Sequence, residues 1–338
     1  MSAKFRGVKI PTEEIEVLRD FERQDGRSFS IVDNIKPKSS MEFSIGYDSR
    51  ICEIGLYKCN ISSIPKSIGN LKSLKKFDIF QSSVKNLPRS FGSLNILQEL
   101  YLNLSPLIEV PDFFGNLTSL KKLSLMHNHI KEIPESIEKL KNLETLALSD
   151  NKIEFIPDSI SNLKSLKYLS LDKNPISKLP NSFGNLSNLE SLKINGCNIE
   201  RLPESIGNLN SLRKFAASST MLKELPDSIC KLKCLRFLYL NNTHLTSLPK
   251  CFGDLTSLER LHLSGSALTA LPESVRNLKN LKWLILDQNP IKTLPKSIGN
   301  LESLTVLNLI DCSLEKIPKT IGELKSLNHL KIENNRLK

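Results

Sequence analysis

One 23-residue pattern constrains the fold of this chain more than any other feature. It reads L-x-x-L-x-L-x-x-N-x-I-x-x-L-P-x-S-I-G-N-L-x-S and covers residues 51–338 as twelve full copies and one partial copy, without an insertion or a deletion. No copy is long enough to bury its own leucines, so neighbouring copies must stack to form a continuous core. Such an array can reach 338 residues because each unit contacts only its neighbours.

The first part of each copy alternates apolar and polar residues, which indicates a short strand. In one copy Leu146 and Leu148 fall on one face, whereas Thr145, Ala147 and Ser149 fall on the other. A proline at the same position of every full copy ends the strand, because proline has no N–H to donate to a sheet. The Ser-Ile-Gly-Asn-Leu stretch that follows predicts a single turn or a 3-10 segment that packs its apolar residues inward.

The ninth position of every copy holds Asn, Ser, Thr or Cys, for example Asn151 and Asn174. A small polar side chain that points inward can satisfy backbone groups where the strand turns. The ninth position therefore predicts a buried hydrogen-bonded ladder with a structural rather than a catalytic role.

These features together resemble the leucine-rich-repeat superfamily, and specifically its 23-residue intracellular class with the L-P-x-S-I-G-N-L-x-S-L signature, which is similar to Ras-group scaffold proteins. The resemblance implies an α/β leucine-rich-repeat solenoid shaped as a horseshoe. We expect a parallel concave sheet of about 13 strands, with short helical, 3-10 or irregular segments on the convex side. Fold alone does not determine the partner.

Residues 1–50 depart from the repeat and are predicted to form an N-terminal cap on a solenoid that spans residues 51–338. Helical spacing predicts a short helix over Glu13–Gln24, and alternation predicts a strand over Met41–Tyr47, with a polar loop around Pro37 between them. The C-terminal edge has no comparable cap. We expect a monomer, and a homodimer through this edge is the alternative.

No pattern of catalytic or ligand-binding residues stands out, so we expect neither enzymatic activity nor a cofactor. The five histidines are scattered and show no metal-binding spacing. Cys230, Cys234 and Cys251 fall on convex segments of adjacent repeats, and we interpret them as ordinary free cysteines. An odd cysteine count, an N-terminus without an apolar signal region and the lack of a long apolar run predict a cytoplasmic protein without a membrane segment.

The outward positions of the strands are where the fold leaves residue choice free, and large apolar residues there mark interaction sites. The middle copies carry small residues at these positions. The C-terminal copies carry larger ones, which we predict to bind a partner: Phe237, Tyr239, Arg260, His262, Trp283, Ile285, Val306 and Ile310. A second, smaller set is Tyr57, Phe80, Tyr101 and Met126. The alternative is that these side chains only pack on one another to cover the sheet.

The sequence therefore predicts a non-enzymatic scaffold or adaptor that binds a protein on its concave face, and neither nucleic acid nor a membrane. The Ras-group resemblance suggests a small GTPase or its regulator, in signal transduction. A net charge of +11, all of it in the repeats, favours an acidic partner. The alternative function is a regulatory subunit of an enzyme such as a phosphatase.

Overall fold

Short strands recur every 23 residues along the chain, as the repeat pattern predicts. The computed structural model describes residues 1–36 and 40–338, so the predicted loop at Pro37 lies outside the described residues. The chain divides into two units, Met1–Leu166 and Lys167–Lys338.

The N-terminal part of the first unit contains a hairpin, one helix and two further strands. They are β1 (Ser2–Phe5), β2 (Val8–Pro11), α1 (Thr12–Asp25), β3 (Ser30–Ile31) and β4 (Met41–Ile45). The predicted helix is confirmed with one more residue at each end, and the predicted strand is confirmed but ends two residues earlier. The hairpin was not predicted, although its turn uses a glycine with positive φ, Gly7.

Five repeat strands follow in the first unit. They are β5 (Ile51–Tyr57), β6 (Lys76–Phe80), β7 (Glu99–Asn103), β8 (Lys122–Ser124) and β9 (Thr145–Ala147). They pair in parallel, and each residue lies opposite the one 23 positions later, as Leu100 lies opposite Leu123. Strand β4 pairs antiparallel with β5, and β3 pairs in parallel with β4.

The second unit contains eight repeat strands that also pair in parallel. They are β10 (Tyr168–Ser170), β11 (Ser191–Lys193), β12 (Lys214–Ala216), β13 (Phe237–Tyr239), β14 (Arg260–His262), β15 (Trp283–Ile285), β16 (Val306–Asn308) and β17 (His329–Lys331). The two units together confirm the predicted number of thirteen repeat strands and the 23-residue interval between them.

A 3-10 helix follows the strand in every full copy, as predicted. In the first unit they span Lys66–Asn70, Arg89–Ser93, Asp112–Asn116, Glu135–Lys139 and Asp158–Asn162. In the second unit they span Asn181–Asn185, Glu204–Asn208, Asp227–Lys231, Phe252–Asp254, Glu273–Asn277, Lys296–Asn300 and Lys319–Glu323. A glycine within these segments lets adjacent helices approach closely, since a Cβ on Gly184 would lie only 2.0 Å from the carbonyl oxygen of Ser205.

The core of each unit consists of the inward leucines and isoleucines, and the ninth-position side chains form the predicted ladder beside it. Asn151 is buried, and its Nδ2 donates to the carbonyl oxygens of Leu125 at 2.8 Å and Leu148 at 3.0 Å. Its Oδ1 accepts from the backbone N–H of Ile130 at 3.0 Å. Because Leu125 and Ile130 belong to the preceding copy, each ladder residue joins two repeats.

Helix α1 packs on the first repeat through an apolar face and one buried carboxylate. Glu14 is fully buried, and its Oε2 accepts from the backbone N–H of Ile51 at 2.8 Å while its Oε1 accepts from Arg50 at 2.9 Å. Burial raises the pKa of Glu14, and the two hydrogen bonds oppose that effect. The N-terminal residues are thereby attached to the start of the repeat array.

The interpretation of Cys230, Cys234 and Cys251 as free cysteines is wrong for two of them. Cys230 and Cys251 form a disulfide between the segments that follow the strands of two adjacent repeats, with their Cα atoms 5.9 Å apart. Their sequence separation of 21 residues is two less than the repeat length, so the two cysteines occupy nearly equivalent positions of adjacent repeats. Cys234 is a free, exposed thiol. The disulfide removes the cysteine count as an argument for a reducing compartment.

Candidate functional site

Three neighbouring strands of the second unit place large side chains on the solvent side of the sheet. Residues that alternate with the buried leucines of a strand must point away from the core. Parallel register puts Phe237, Arg260 and Trp283 in one row across β13, β14 and β15. The adjacent row contains Tyr239, His262 and Ile285, and we call these six residues the aromatic patch. The sequence predicted both rows.

Ring and cation contacts connect the members of the aromatic patch. The guanidinium carbon of Arg260 lies 4.5 Å from the ring centroid of Trp283 and 5.7 Å from that of Phe237. The Tyr239 and His262 rings meet edge to face at 5.0 Å, and the His262 and Trp283 rings are parallel at 6.3 Å. Trp283 is nevertheless 37% exposed. Mutual packing therefore arranges these side chains but leaves the indole accessible to a partner.

His262 lies at the centre of the aromatic patch, between Tyr239 and Trp283. Its burial lowers the pKa of the imidazole below the ordinary 6.5, and the nearby charge of Arg260 lowers it further, while Asp287 has the opposite effect. Its Nε2 atom is buried and has no hydrogen-bond partner within the described part of the chain. An unpaired buried polar atom is uncommon in a folded protein.

Two further predicted residues extend the apolar surface without joining the ring contacts. Val306 continues the first row directly beside Trp283 on strand β16 and is half-buried. Ile310 lies two residues beyond the end of β16 and is also half-buried. Both offer apolar area at the border of the aromatic patch.

The smaller N-terminal set is less accessible than the sequence suggests. Tyr57 is buried, which contradicts its interpretation as a contact residue. Its ring lies over Gly55, where a Cβ would be 2.7 Å from Cε2, and its hydroxyl donates to Asp78 at 2.9 Å. Of the others, Phe80 is 36% exposed, whereas Tyr101 and Met126 are half-buried.

Among the small outward residues, Ser149 is buried rather than exposed. In the second unit, small residues leave a surface depression of about 310 Å³ beside Tyr239. Its walls are Asp172, Lys193, Asn195, Lys214, Ala216, Ser218, Tyr239 and Asn241. The sequence analysis did not predict a role for Lys193 and Lys214. The signal for them is two long cationic side chains at outward positions of adjacent copies, where the other outward residues are small.

Other candidate chemistry is not supported by the structure. Within residues 1–36 and 40–338, no cluster of three or more His, Cys, Asp or Glu side chains has an arrangement that could hold a metal ion. None of the helices described has the length and apolar character needed to cross a bilayer.

Comparison with known proteins agrees with the architecture. The leucine-rich repeat region model matches residues 53–128, 120–197, 159–238, 190–269 and 272–338. No curated protein matches the chain significantly.

Two solved structures show how closely this chain resembles other repeat proteins. A leucine-rich-repeat protein of Leptospira interrogans is 31% identical, with a TM-score of 0.70, over 84% of this chain and 78% of its own. The Arabidopsis receptor kinase HAESA, solved with the peptide hormone IDA and the co-receptor SERK1, is 26% identical, with a TM-score of 0.71, over 97% of this chain and 66% of its own.

A Listeria monocytogenes internalin shares the fold, with a TM-score of 0.74 and 21% identity, over 85% of this chain and 82% of its own. Leucine-rich-repeat proteins generally mediate protein–protein interactions, and the fold is typically a non-enzymatic interaction module. The repeats in the sequence, the parallel strands of both units and these matches agree with one another. The chain belongs to the leucine-rich-repeat family.

Proposed function

We propose that this protein is a non-enzymatic scaffold or adaptor that binds a protein partner at the aromatic patch on the concave face of its sheet. The single observation that carries the proposal is the placement of Trp283, the only tryptophan of the chain, on the solvent side of the sheet at 37% exposure. A buried position would remove more of its apolar area from water, so its position is better explained by contact with a partner. Trp, Tyr and Arg are also the residue types that contribute most to binding at interfaces.

The neighbouring structures support binding of a protein or peptide as the general activity, since one of them holds a peptide hormone and a co-receptor. We propose a small GTPase or its regulator as the partner class, in cytoplasmic signal transduction, and this part rests on the Ras-group resemblance alone. The alternative, a regulatory subunit of an enzyme such as a phosphatase, predicts that a protein captured by this chain changes its activity when bound. We further propose that residues 1–50 serve as a cap for the repeats.

Single alanine substitutions in the aromatic patch test the proposal. We expect Trp283→Ala or Tyr239→Ala to weaken binding of the affinity-captured, purified partner by about 2 kcal/mol or more, because each removes a central aromatic contact. The melting temperature should change little, since neither side chain supports the leucine core. Tyr168→Ala is the matched control, because Tyr168 is an exposed aromatic on the same sheet face outside the aromatic patch. Wild-type affinity in both patch variants would refute the proposed site.

A further inference from the structure

We infer that the depression beside Tyr239 is a carboxylate-binding subsite and that the partner segment is therefore acidic. This inference rests on the proposed function, because the depression adjoins the aromatic patch. Its shape comes from residue size: Ala216 and Ser218 form a low floor between the longer side chains of Lys193, Lys214 and Tyr239. The volume of about 310 Å³ is large enough for one side chain of a partner.

Two lysine ammonium groups supply the charge of the subsite. Strand pairing sets Lys193 opposite Ala216 and Lys214 opposite Phe237, so both lysines border the depression. In the described part of the chain, neither lysine lies within ion-pair distance of a carboxylate, unlike Arg236, which is paired with Glu259. Unpaired cations at a protein surface attract an opposite charge on a partner.

The one acidic residue that lines the depression is already engaged. Oδ1 of Asp172 accepts hydrogen bonds from the backbone N–H of Asn195 at 2.7 Å and from its Nδ2 at 2.9 Å. Asp172 compensates one of the two lysine charges at most, so the subsite keeps a net positive charge. Arg260 adds to it, since its guanidinium lies against two aromatic rings and forms no ion pair with a described carboxylate.

The Lys214 ammonium is held over the Tyr239 ring, 5.5 Å from the centroid. A lysine restrained in this way loses less side-chain freedom when it binds a carboxylate than a lysine that moves freely in solvent. The aliphatic part of an inserted Glu would at the same time contact the Tyr239 ring and the Ala216 methyl group. The subsite thus suits a Glu or Asp side chain better than an isolated anion.

The distance to the indole predicts the spacing of the ligand residues. Lys214 lies on β12 and Trp283 on β15, three strand intervals away, which is about 14 Å at roughly 4.8 Å per interval. An extended peptide rises about 3.3 Å per residue, so a segment that crosses the strands would carry its acidic residue about four residues from its aromatic or aliphatic anchor.

A random peptide-display library selected on the 338-residue chain tests both the carboxylate subsite and the proposed function. We expect selected peptides to carry Asp or Glu about four residues from a large apolar residue. The Lys193→Ala/Lys214→Ala variant should bind them about tenfold more weakly, and with a smaller loss of affinity at high salt, than the wild type. Lys250→Ala/Lys292→Ala is the matched control, because it removes the same charge from exposed positions outside the sheet surface.

The outcomes separate the inference from the function on which it rests. Peptides that lose affinity in Trp283→Ala but bind the Lys193→Ala/Lys214→Ala variant as the wild type would overturn the carboxylate subsite and leave the proposed function intact. Selected peptides that depend neither on Trp283 nor on the two lysines would overturn both. Thermal melting of each variant confirms that a change in affinity does not result from unfolding.

Discussion

Single side chains hold successive copies of the repeat together, and the ninth position shows this most clearly. Asn151 and Asn289 both donate from Nδ2 to a carbonyl of their own copy and to one of the preceding copy. Thr243 and Cys312 have only one donor group each, and each donates to one backbone carbonyl, that of Leu240 and that of Leu286 respectively.

Replacement of a ladder asparagine should therefore destabilise the array. We expect Asn151→Leu to lower the free energy of unfolding by about 1 to 3 kcal/mol, because it leaves the N–H of Ile130 without an acceptor in the interior and removes one of the two donors to the carbonyl of Leu125. Denaturant titration measures the change. Ser187→Ala, at an exposed position, is the control and should stay within about 0.5 kcal/mol of the wild type. Equal midpoints for the two variants would contradict a structural ladder.

At the scale of secondary-structure elements, every repeat strand is followed by a residue with left-handed backbone conformation. Glycine fills this eighth position twice, at Gly196 and Gly265. The other copies use side chains that seldom adopt positive φ, such as Leu104 at 54° and Lys173 at 54°. The turn is imposed by the neighbouring copy, since the N–H of the eighth residue donates to the next copy's seventh carbonyl, as His127 does to Ser149 at 3.0 Å.

The disulfide joins the segments that follow the strands of two adjacent repeats and should stabilise them. We expect Cys230→Ser, or reduction of the wild type, to lower the free energy of unfolding by about 2 to 4 kcal/mol, because the bond restricts the unfolded chain between the two residues. Cys234→Ser should have little effect, since Cys234 is exposed and unbonded. Thiol titration of the unfolded, unreduced protein checks the bond itself, and seven free thiols would show that it does not form in solution.

At the scale of the whole molecule, a repeat array depends on contacts between neighbours, so its first repeat needs a cover. The buried face of α1 and the contact of Glu14 with Ile51 support the proposal that residues 1–50 provide this cover. The second unit ends with β17, whose residues are all exposed, including Leu330 at 41%. The proposed cap therefore has a direct structural basis at the N-terminal edge of the sheet.

Removal of the buried carboxylate should loosen this cover. We expect Glu14→Ala to raise hydrogen–deuterium exchange in α1 and β5, since the N–H of Ile51 and the Arg50 guanidinium lose their acceptor. Glu14→Gln keeps one oxygen acceptor and should have a smaller effect. Exchange in the strands of the second unit serves as the internal reference. Unchanged exchange of α1 in Glu14→Ala would show that apolar packing alone attaches the helix.

Much of the architecture is determined by the sequence itself. The alternation around Leu146, the proline after every strand and the polar ninth position act over a few residues, and their repetition at a constant interval leaves one way to stack the copies. The same regularity by itself predicts that Phe237, Arg260 and Trp283 lie in one row. Local periodicity specifies which face a side chain occupies and which residues become its neighbours.

Only the tertiary structure decided how those side chains are used. Tyr57 occupies an outward position in the repeat, yet its side chain is buried. Its ring packs over Gly55, which has no side chain, and its hydroxyl donates a hydrogen bond to the carboxylate of Asp78. Cys230 and Cys251 form a disulfide because the stacking of two adjacent repeats brings their Cα atoms to 5.9 Å. The lysine-lined depression likewise exists through the sizes of residues from several different copies. The burial of a side chain, the formation of a disulfide and the shape of the surface all depend on distances between atoms of different repeats. The periodicity of the sequence does not specify these distances.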